Sequence, residues 1–343
     1  MKIYYLSATG NSLTAARSLA RELDEDVTLV SFRSIRLLPE IETEDTAVGF
    51  IFPAYFADVP QEFLACIRKM KFRQNTYLFA IATCNGVPGT TLRTLSGALE
   101  QKGAHLSAAF SLDMPGNALI TPQAASDKRL NEFPGRLSQI ARMIAHREQT
   151  SFPGIPVREA LHSAAVRAIG PRFVVNPRKF HTVETACVGC GLCARVCPAS
   201  NIIISNNRPR WDSNCIHCLA CFHWCPKQAI HIGGLLSDRP RYHHPEVSPS
   251  DLCGHLQIIQ PCGPSRRIAH PRGLPHRIVR PCGPSTPVPG LYDPFFLCPK
   301  IYFHEIYFLF PSETILVSLF YIFNKQNPLS PPLFLSTFYR PPA

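Results

Sequence analysis

The chain reads as an α/β protein, a doubly wound five-stranded parallel sheet followed by a small cysteine-rich module. Three observations predict this. Short apolar strand candidates alternate with helical stretches over residues 1–150, the pattern of a parallel sheet covered on both faces. The first strand opens at once on a loop of small hydroxyl residues. Further on, C-x2-C-x2-C-x3-C-P occurs twice, as Cys187, Cys190, Cys193, Cys197 with Pro198 and as Cys215, Cys218, Cys221, Cys225 with Pro226.

Lys2 to Leu6 is the first apolar strand. Ser7-Ala8-Thr9-Gly10-Asn11-Ser12 follows, then the helical pattern Leu13, Ala16, Leu19, Ala20, Leu23. Strand, hydroxyl-rich loop and helix start can surround a phosphate with backbone N–H groups and hydroxyls, favoured by the helix dipole. The loop has neither the Lys of G-x-x-x-x-G-K-[ST] nor G-x-G-x-x-G, so it is not that of an NTPase or a dinucleotide fold. By itself it is also readable as no more than a well-capped helix. Further strands are expected at Val27–Val30, Ala47–Phe52, Thr76–Thr83 and Leu106–Leu112, and helices at Pro60–Met70, Pro88–Gln101 and Ala124–His146.

In such sheets ligands sit outside the carboxyl ends of the strands. The loops leaving those ends are 7–12, then Pro53-Ala54-Tyr55-Phe56-Ala57-Asp58, then Thr83-Cys84-Asn85-Gly86-Val87-Pro88-Gly89, then Met114-Pro115-Gly116-Asn117. Tyr55 or Phe56 is placed to stack on a flat ring, and Asn85-Gly86 to present amides to its edge. Phosphate cup, aromatic wall and glycine-bearing loop describe a flavin mononucleotide (FMN) pocket. The cofactor-binding candidates are Ser7, Thr9, Gly10, Asn11, Ser12, Pro53, Ala54, Tyr55, Phe56, Thr83, Asn85, Gly86 and Asn117.

Eight of the fourteen cysteines belong to the doubled motif. Three cysteines two residues apart can turn their sulfurs to three corners of a four-iron cube, and the fourth ligates the other cluster. This assigns Cys187, Cys190, Cys193 and Cys225 to one [4Fe–4S] cluster, and Cys215, Cys218, Cys221 and Cys197 to the other. Gly189 and Gly191 let the first loop bend, Pro198 and Pro226 end each loop, and Asn201–Ile204 and Ala229–Ile232 are expected as short covering strands. Zinc needs only four ligands, usually as two separated pairs, and disulfides within such close spacings bridge badly.

On these residues the chain resembles the fused flavodoxin-like and two-cluster ferredoxin-like proteins found chiefly in anaerobic bacteria and archaea. The flavodoxin phosphate loop T-G-N-T is matched by Thr9-Gly10-Asn11-Ser12. An Arg-Tyr-x-x-Pro stretch that commonly ends the iron–sulfur half is matched by Arg241-Tyr242-His243-His244-Pro245. The likeness covers roughly residues 1–250. The second and third cofactor loops lack the usual Trp and Tyr, which implies one aromatic face on the flavin. The resemblance implies a flavodoxin-like FMN domain over 1–150, a basic linker over 151–180 and a ferredoxin-like domain over 181–250.

The formal net charge is +11 and uneven. Much of the excess over residues 101–250 lies between Lys128 and Lys179, a solvated helix face or a docking face for an acidic redox partner. No nucleic-acid motif accompanies it. Residues 251–343 read as a Pro-rich then apolar tail, disordered or non-native: Pro261-Cys262-Gly263-Pro264-Ser265 recurs at 281–285, and neither later apolar run reaches the ~18 residues a membrane span needs. Cys253, Cys262, Cys282 and Cys298 have no ligand spacing. Met1 leads straight into a strand without a secretory pattern, so a reducing cytoplasm is expected.

Cys66 and Cys84 read as packing residues, His217 and His223 as neighbours that tune the clusters, and Trp211 and Trp224 as cluster covers. Asp58 and Asp113 lie near the flavin loops without an acid–base partner, and no nucleophile–histidine–acid pattern is present. The expected function is electron transfer between two [4Fe–4S] clusters and FMN. The alternatives are a flavin-dependent oxidoreductase fed by its own clusters, a ferredoxin on an empty flavodoxin-like scaffold, and a zinc-binding nucleic-acid module.

Overall fold

The first half is laid out by strands β1 (Lys2–Tyr5), β2 (Val27–Ser31), β3 (Ile41–Thr43), β4 (Ala47–Pro53), β5 (Met70–Phe72), β6 (Tyr77–Cys84) and β7 (Leu106–Asp113). Helices α1 (Asn11–Glu22), α2 (Phe32–Ile35), α3 (Gln61–Arg68), α4 (Thr91–Glu100) and α5 (Gln123–Ala145) connect them. The structure, a computed structural model, describes residues 1–118, 121–151, 155–173, 175–233, 240–253 and 256–259. The main sheet runs β2-β1-β4-β6-β7 with every neighbour parallel. This is the 2-1-3-4-5 order of the flavodoxin-like doubly wound fold; the alternation of elements predicts the parallel sheet covered on both faces.

Helices α1 and α5 cover one face of this sheet, and α3 and α4 the other. A strand buried on both faces must be apolar throughout rather than alternating. Strand β6 is buried at every position, and Phe50, Phe52, Phe63 and Phe79 fill the core. Strands β3 and β5 pair in parallel outside the main sheet; at three residues each they are too short to announce themselves by periodicity.

The segment expected as a basic linker is largely a helix, α6 (Val157–Phe173). Its apolar residues are spread around all sides rather than gathered in one stripe, so helical periodicity does not reveal it. After a short 3-10 turn at Pro177–Lys179 come β8 (His181–Thr182), α7 (Leu192–Val196), β9 (Ile202–Ser205), β10 (Arg208–Trp211), α8 (Ala220–His223) and β11 (Ile230–His231). The expected covering strands are β9 and β11. Each is half of an antiparallel pair whose partner, β10 or β8, carries little apolar pattern.

The boundary expected at residue 250 falls inside ordered structure. Helix α9 (Pro249–Cys253) leads to β12 (Leu256–Ile259), which pairs antiparallel with β2 as a sixth strand of the main sheet. It covers backbone groups that the edge strand β2 would otherwise leave unpaired. Both halves and this returning segment belong to one compact unit. The rest of the tail, including the 20-residue repeat and Cys262, Cys282 and Cys298, lies outside the described residues. No described helix is long and apolar enough to cross a membrane.

Candidate functional site

The two cysteine runs fold into matching loops. Gly189 and Gly191 take left-handed φ values of 68°. In the second copy His217 and Leu219, both at φ 59°, hold the equivalent positions. These left-handed residues bend each loop around its sulfurs, and each loop then enters a single helical turn, α7 or α8. The fourth cysteine of each run accepts an amide N–H from four residues on, Asn201 to Cys197 Sγ at 3.3 Å and Ala229 to Cys225 Sγ at 3.2 Å.

Cys187, Cys190, Cys193 and Cys225 line one recess, together with Val188, Leu192 and Ile204. Burial, and then the charges of Cys225, Cys190 and Cys187, push the Cys193 thiol up to about 11. Cys215, Cys218, Cys221 and Cys197 form a second, more enclosed group. Burial pushes Cys215 up to about 11, with Cys197 adding to it. Cys218 and Cys221 are raised further, again by burial first and then by charges within the group. Trp211 lies beside Cys221, where its indole N–H favours the thiolate. Among the described residues no three His, Cys, Asp or Glu side chains are placed to hold a single ion. The first group lines a recess, as a cubane requires, and an all-thiolate set in both groups suits iron–sulfur chemistry.

The loops at the carboxyl ends of the sheet strands gather beside the second group. Gly10 is the N-cap of α1 at φ 103°, and no side chain caps the first turn of this helix. Ser7 Oγ is buried with no hydrogen-bond partner. The hydroxyls of Ser12 and Thr83 meet at 2.8 Å, and the Thr83 carbonyl accepts from Ala54 N at 2.9 Å. An uncapped helix start beside an unpartnered hydroxyl fits a phosphate. Pro53 ends β4. Tyr55 and Asp58 exchange backbone hydrogen bonds across a tight turn that carries Phe56 and Ala57 at φ 51° and 60°.

Asn85 and Gly86 stand apart on an exposed rim. The Gly86 N–H donates to Asp113 Oδ1 at 2.7 Å, and Asn85 Oδ1 accepts from Arg129 and Thr121. That amide is therefore not free for a ring edge. Asp113 also accepts from Arg129, while Asp58 accepts from Val59 N and Arg167. Both carboxylates are engaged in structural contacts. Cys84 is buried, as its packing role requires.

The iron–sulfur half sits on the loop cluster. Asn117 Nδ2 donates to the Cys218 carbonyl at 3.2 Å, and its own carbonyl bonds His223 Nε2 at 2.8 Å. Because Tyr242 N–H donates to His223 Nδ1 at 3.0 Å, Nε2 carries the imidazole proton. Trp224 Nε1 donates to the Ala8 carbonyl at 2.8 Å. Burial and then the neighbouring Cys218 hold the Tyr55 phenol well above its ordinary value. The Phe56 ring meets His217 edge-on at 5.7 Å and packs on Gly170 of α6.

Three contributions were not legible as site residues. Trp224, expected to cover a cluster, ties the halves together and stacks on His243. The Arg241–Val247 stretch crosses the phosphate loop: Tyr242 Oη donates to Asn11 Oδ1 at 2.6 Å, His244 N to the Thr9 carbonyl at 2.7 Å, and a Cβ on Gly10 would meet His244 and Val247 at 2.9 Å. Asn11 Nδ2 in turn donates to the Pro115 carbonyl. Helix α6 closes over the second and third loops, where Arg167 binds Asp58 and Thr90. The Arg-Tyr-x-x-Pro stretch was the sole signal for any of these.

Residues 186–230 match the 4Fe-4S dicluster domain family. No curated protein matches the chain. Among solved structures, a Streptococcus pneumoniae flavodoxin is similar at 16% identity, covering 43% of this chain and 97% of that one with a TM-score of 0.31. An FMN-dependent NADH-azoreductase from Bacillus anthracis is similar at 7% identity, covering 42% of this chain and all of that one with a TM-score of 0.30.

Proposed function

We propose that this chain is an electron-transfer protein that holds two [4Fe–4S] clusters and an FMN, with the second cluster against the flavin loops. The observation that carries the reading is the docking of the second cysteine run on the carboxyl ends of the sheet strands, through Asn117 to Cys218 and Trp224 to Ala8. Cys187, Cys190, Cys193 and Cys225 would hold one cluster, and Cys215, Cys218, Cys221 and Cys197 the other. Ser7, Thr9 and the amides of 10–12 would hold the phosphate, with Tyr55 and Phe56 beside the ring. Clusters exchange single electrons and a flavin accepts one or two, so such a fusion converts between single and paired electrons. The chain's own part is to fix distances, exclude water and donate hydrogen bonds toward the sulfurs. Oxygen-sensitive clusters and unpaired thiols suit a reducing cytoplasm.

A second reading, in which the flavodoxin-like half is only a scaffold, is favoured by the engagement of Asn11, Gly86 and Asn117 with other protein groups. Iron, sulfide and flavin content of the anaerobically purified full chain, with a visible spectrum, separates the two. About eight irons and one flavin per chain support the proposal. The same iron with no flavin, even after incubation with FMN, leaves the scaffold reading. Zinc in place of iron sinks both.

A further inference from the structure

The two cysteine groups differ in what surrounds them. Cys218, Cys221 and Cys197 of the second group are buried, closed in by the sheet loops. In the first group Cys190 is exposed, and Cys187, Cys193 and Cys225 are partly so. An electron that leaves or reaches the chain by a protein–protein encounter does so most readily where a centre lies nearest the surface. The first recess is that place.

Its mouth has a defined chemistry. Val188 is 63% exposed and Ile204 36%, an apolar patch beside the sulfurs. Lys227 is part of the lining, and no Asp or Glu is. Arg195 donates to the Cys190 carbonyl at 2.9 Å and Arg208 to the Cys187 carbonyl at 2.6 Å, so two guanidiniums are folded onto the loop itself. Among the described residues none of these three cations pairs with a carboxylate. The two guanidiniums would balance the dianionic charge of a thiolate-held cubane there, and Lys227 adds a positive charge to the lining. An apolar centre with a cationic rim is the complement of a redox protein whose own centre lies in an acidic rim.

We propose that the mouth of the first recess, with Val188, Ile204, Arg195, Arg208 and Lys227, is the electron port of this chain, and that its partner is an acidic redox protein. This rests on the cluster reading above. It places the docking face here rather than on the basic surface between Lys128 and Lys179. Each encounter moves one electron: the partner is oxidised by one equivalent and this chain reduced by one, or the reverse, with no bond made or broken.

The test uses the full chain under anaerobic conditions, with a reduced acidic [2Fe–2S] ferredoxin as probe in stopped flow. The second-order rate should fall at least ~10-fold between about 20 mM and about 500 mM salt. Lys227→Glu should lower the low-salt rate about fivefold. Lys128→Glu should leave it unchanged, and reduction by methyl viologen, which needs no docking face, should not be slowed by Lys227→Glu. Zero-length carbodiimide coupling should join partner carboxylates to Lys227. A chain without iron would overturn the cluster reading and the port with it. A chain with full iron whose rate ignores Lys227→Glu, or whose cross-links fall on Lys128, would overturn the port alone.

Discussion

Gly49 lies at the middle of β4 opposite Phe79 of β6, and a Cβ there would run into the Phe79 ring. Neither group has room to move, since both are fully enclosed by helices on each face. Gly49→Ala should therefore destabilise the fold by about 1–3 kcal/mol, read as a lower denaturation midpoint. Cys84 makes a chemical prediction at the same scale. Burial, aided by the Asp113 charge, pushes its thiol up to about 12. Almost no thiolate is then present at pH 8, so iodoacetamide should leave Cys84 unlabelled in the folded chain and label it on unfolding. Labelling of the native chain at the unfolded rate would refute the burial. His217 and Leu219 take the left-handed backbone that glycine takes in the first loop, where a bulky side chain is disfavoured. His217 has a compensation in its ring contact with Phe56.

The returning segment is the element with the most consequence. Arg241 donates to the carbonyls of Phe222, Gln228 and Ile230 and lies over the Phe222 ring. From that anchor the chain crosses the phosphate loop and is tied to α1 by Arg17 and Asp251 at 2.7 Å. Burial pushes the Asp251 carboxyl up, but the hydrogen bonds from Arg17 and Ser248 outweigh it, and the group titrates below its ordinary 3.8. A depressed carboxyl stabilises the fold above the unfolded value, and that contribution is lost as pH falls below 3.8 through the folded value. Asp251→Asn should cost about 1 kcal/mol at pH 7. The difference from the parent chain should vanish in strong acid, and a constant difference at all pH values would show that the ion pair is not its cause. His244 in the same segment is buried and held below its ordinary 6.5, mainly by burial, with Glu246 opposing and His243 assisting. A histidine kept neutral also withdraws stability as pH falls, here on acidification below about 6.5.

At the scale of the molecule, the two halves differ in what holds them. The sheet has a continuous apolar core, whereas the segment from Cys187 to Ile230 has helices of four or five residues and strands of two to four. Such elements bury too little to fold alone, so in the proposed reading the cubanes would supply much of their stability. Removing iron with an oxidant and chelator should make residues 183–233 protease-sensitive, while β1, β4, β6 and β7 stay protected. Loss of both halves together would show instead that docking, not metal, carries the second half, and mass-spectrometric mapping of the cleavage sites decides between them.

The sequence by itself determined the parallel sheet and the position of both cysteine runs, because both are local. A strand buried on two faces must be apolar from end to end, as β4 and β6 are, and a cubane's ligands must recur at short fixed spacing. Helix α6, the partner strands β8 and β10, and the returning strand β12 were not readable. Their sequences carry no apolar period; α6, β8 and β12 are held by contacts with residues far along the chain, and β10 by a hairpin to β9. Only the tertiary structure decided that the second cysteine group faces the sheet loops while the first faces outward, since Asn117 and Cys218, or Ala8 and Trp224, are neighbours only once two separately patterned halves have docked.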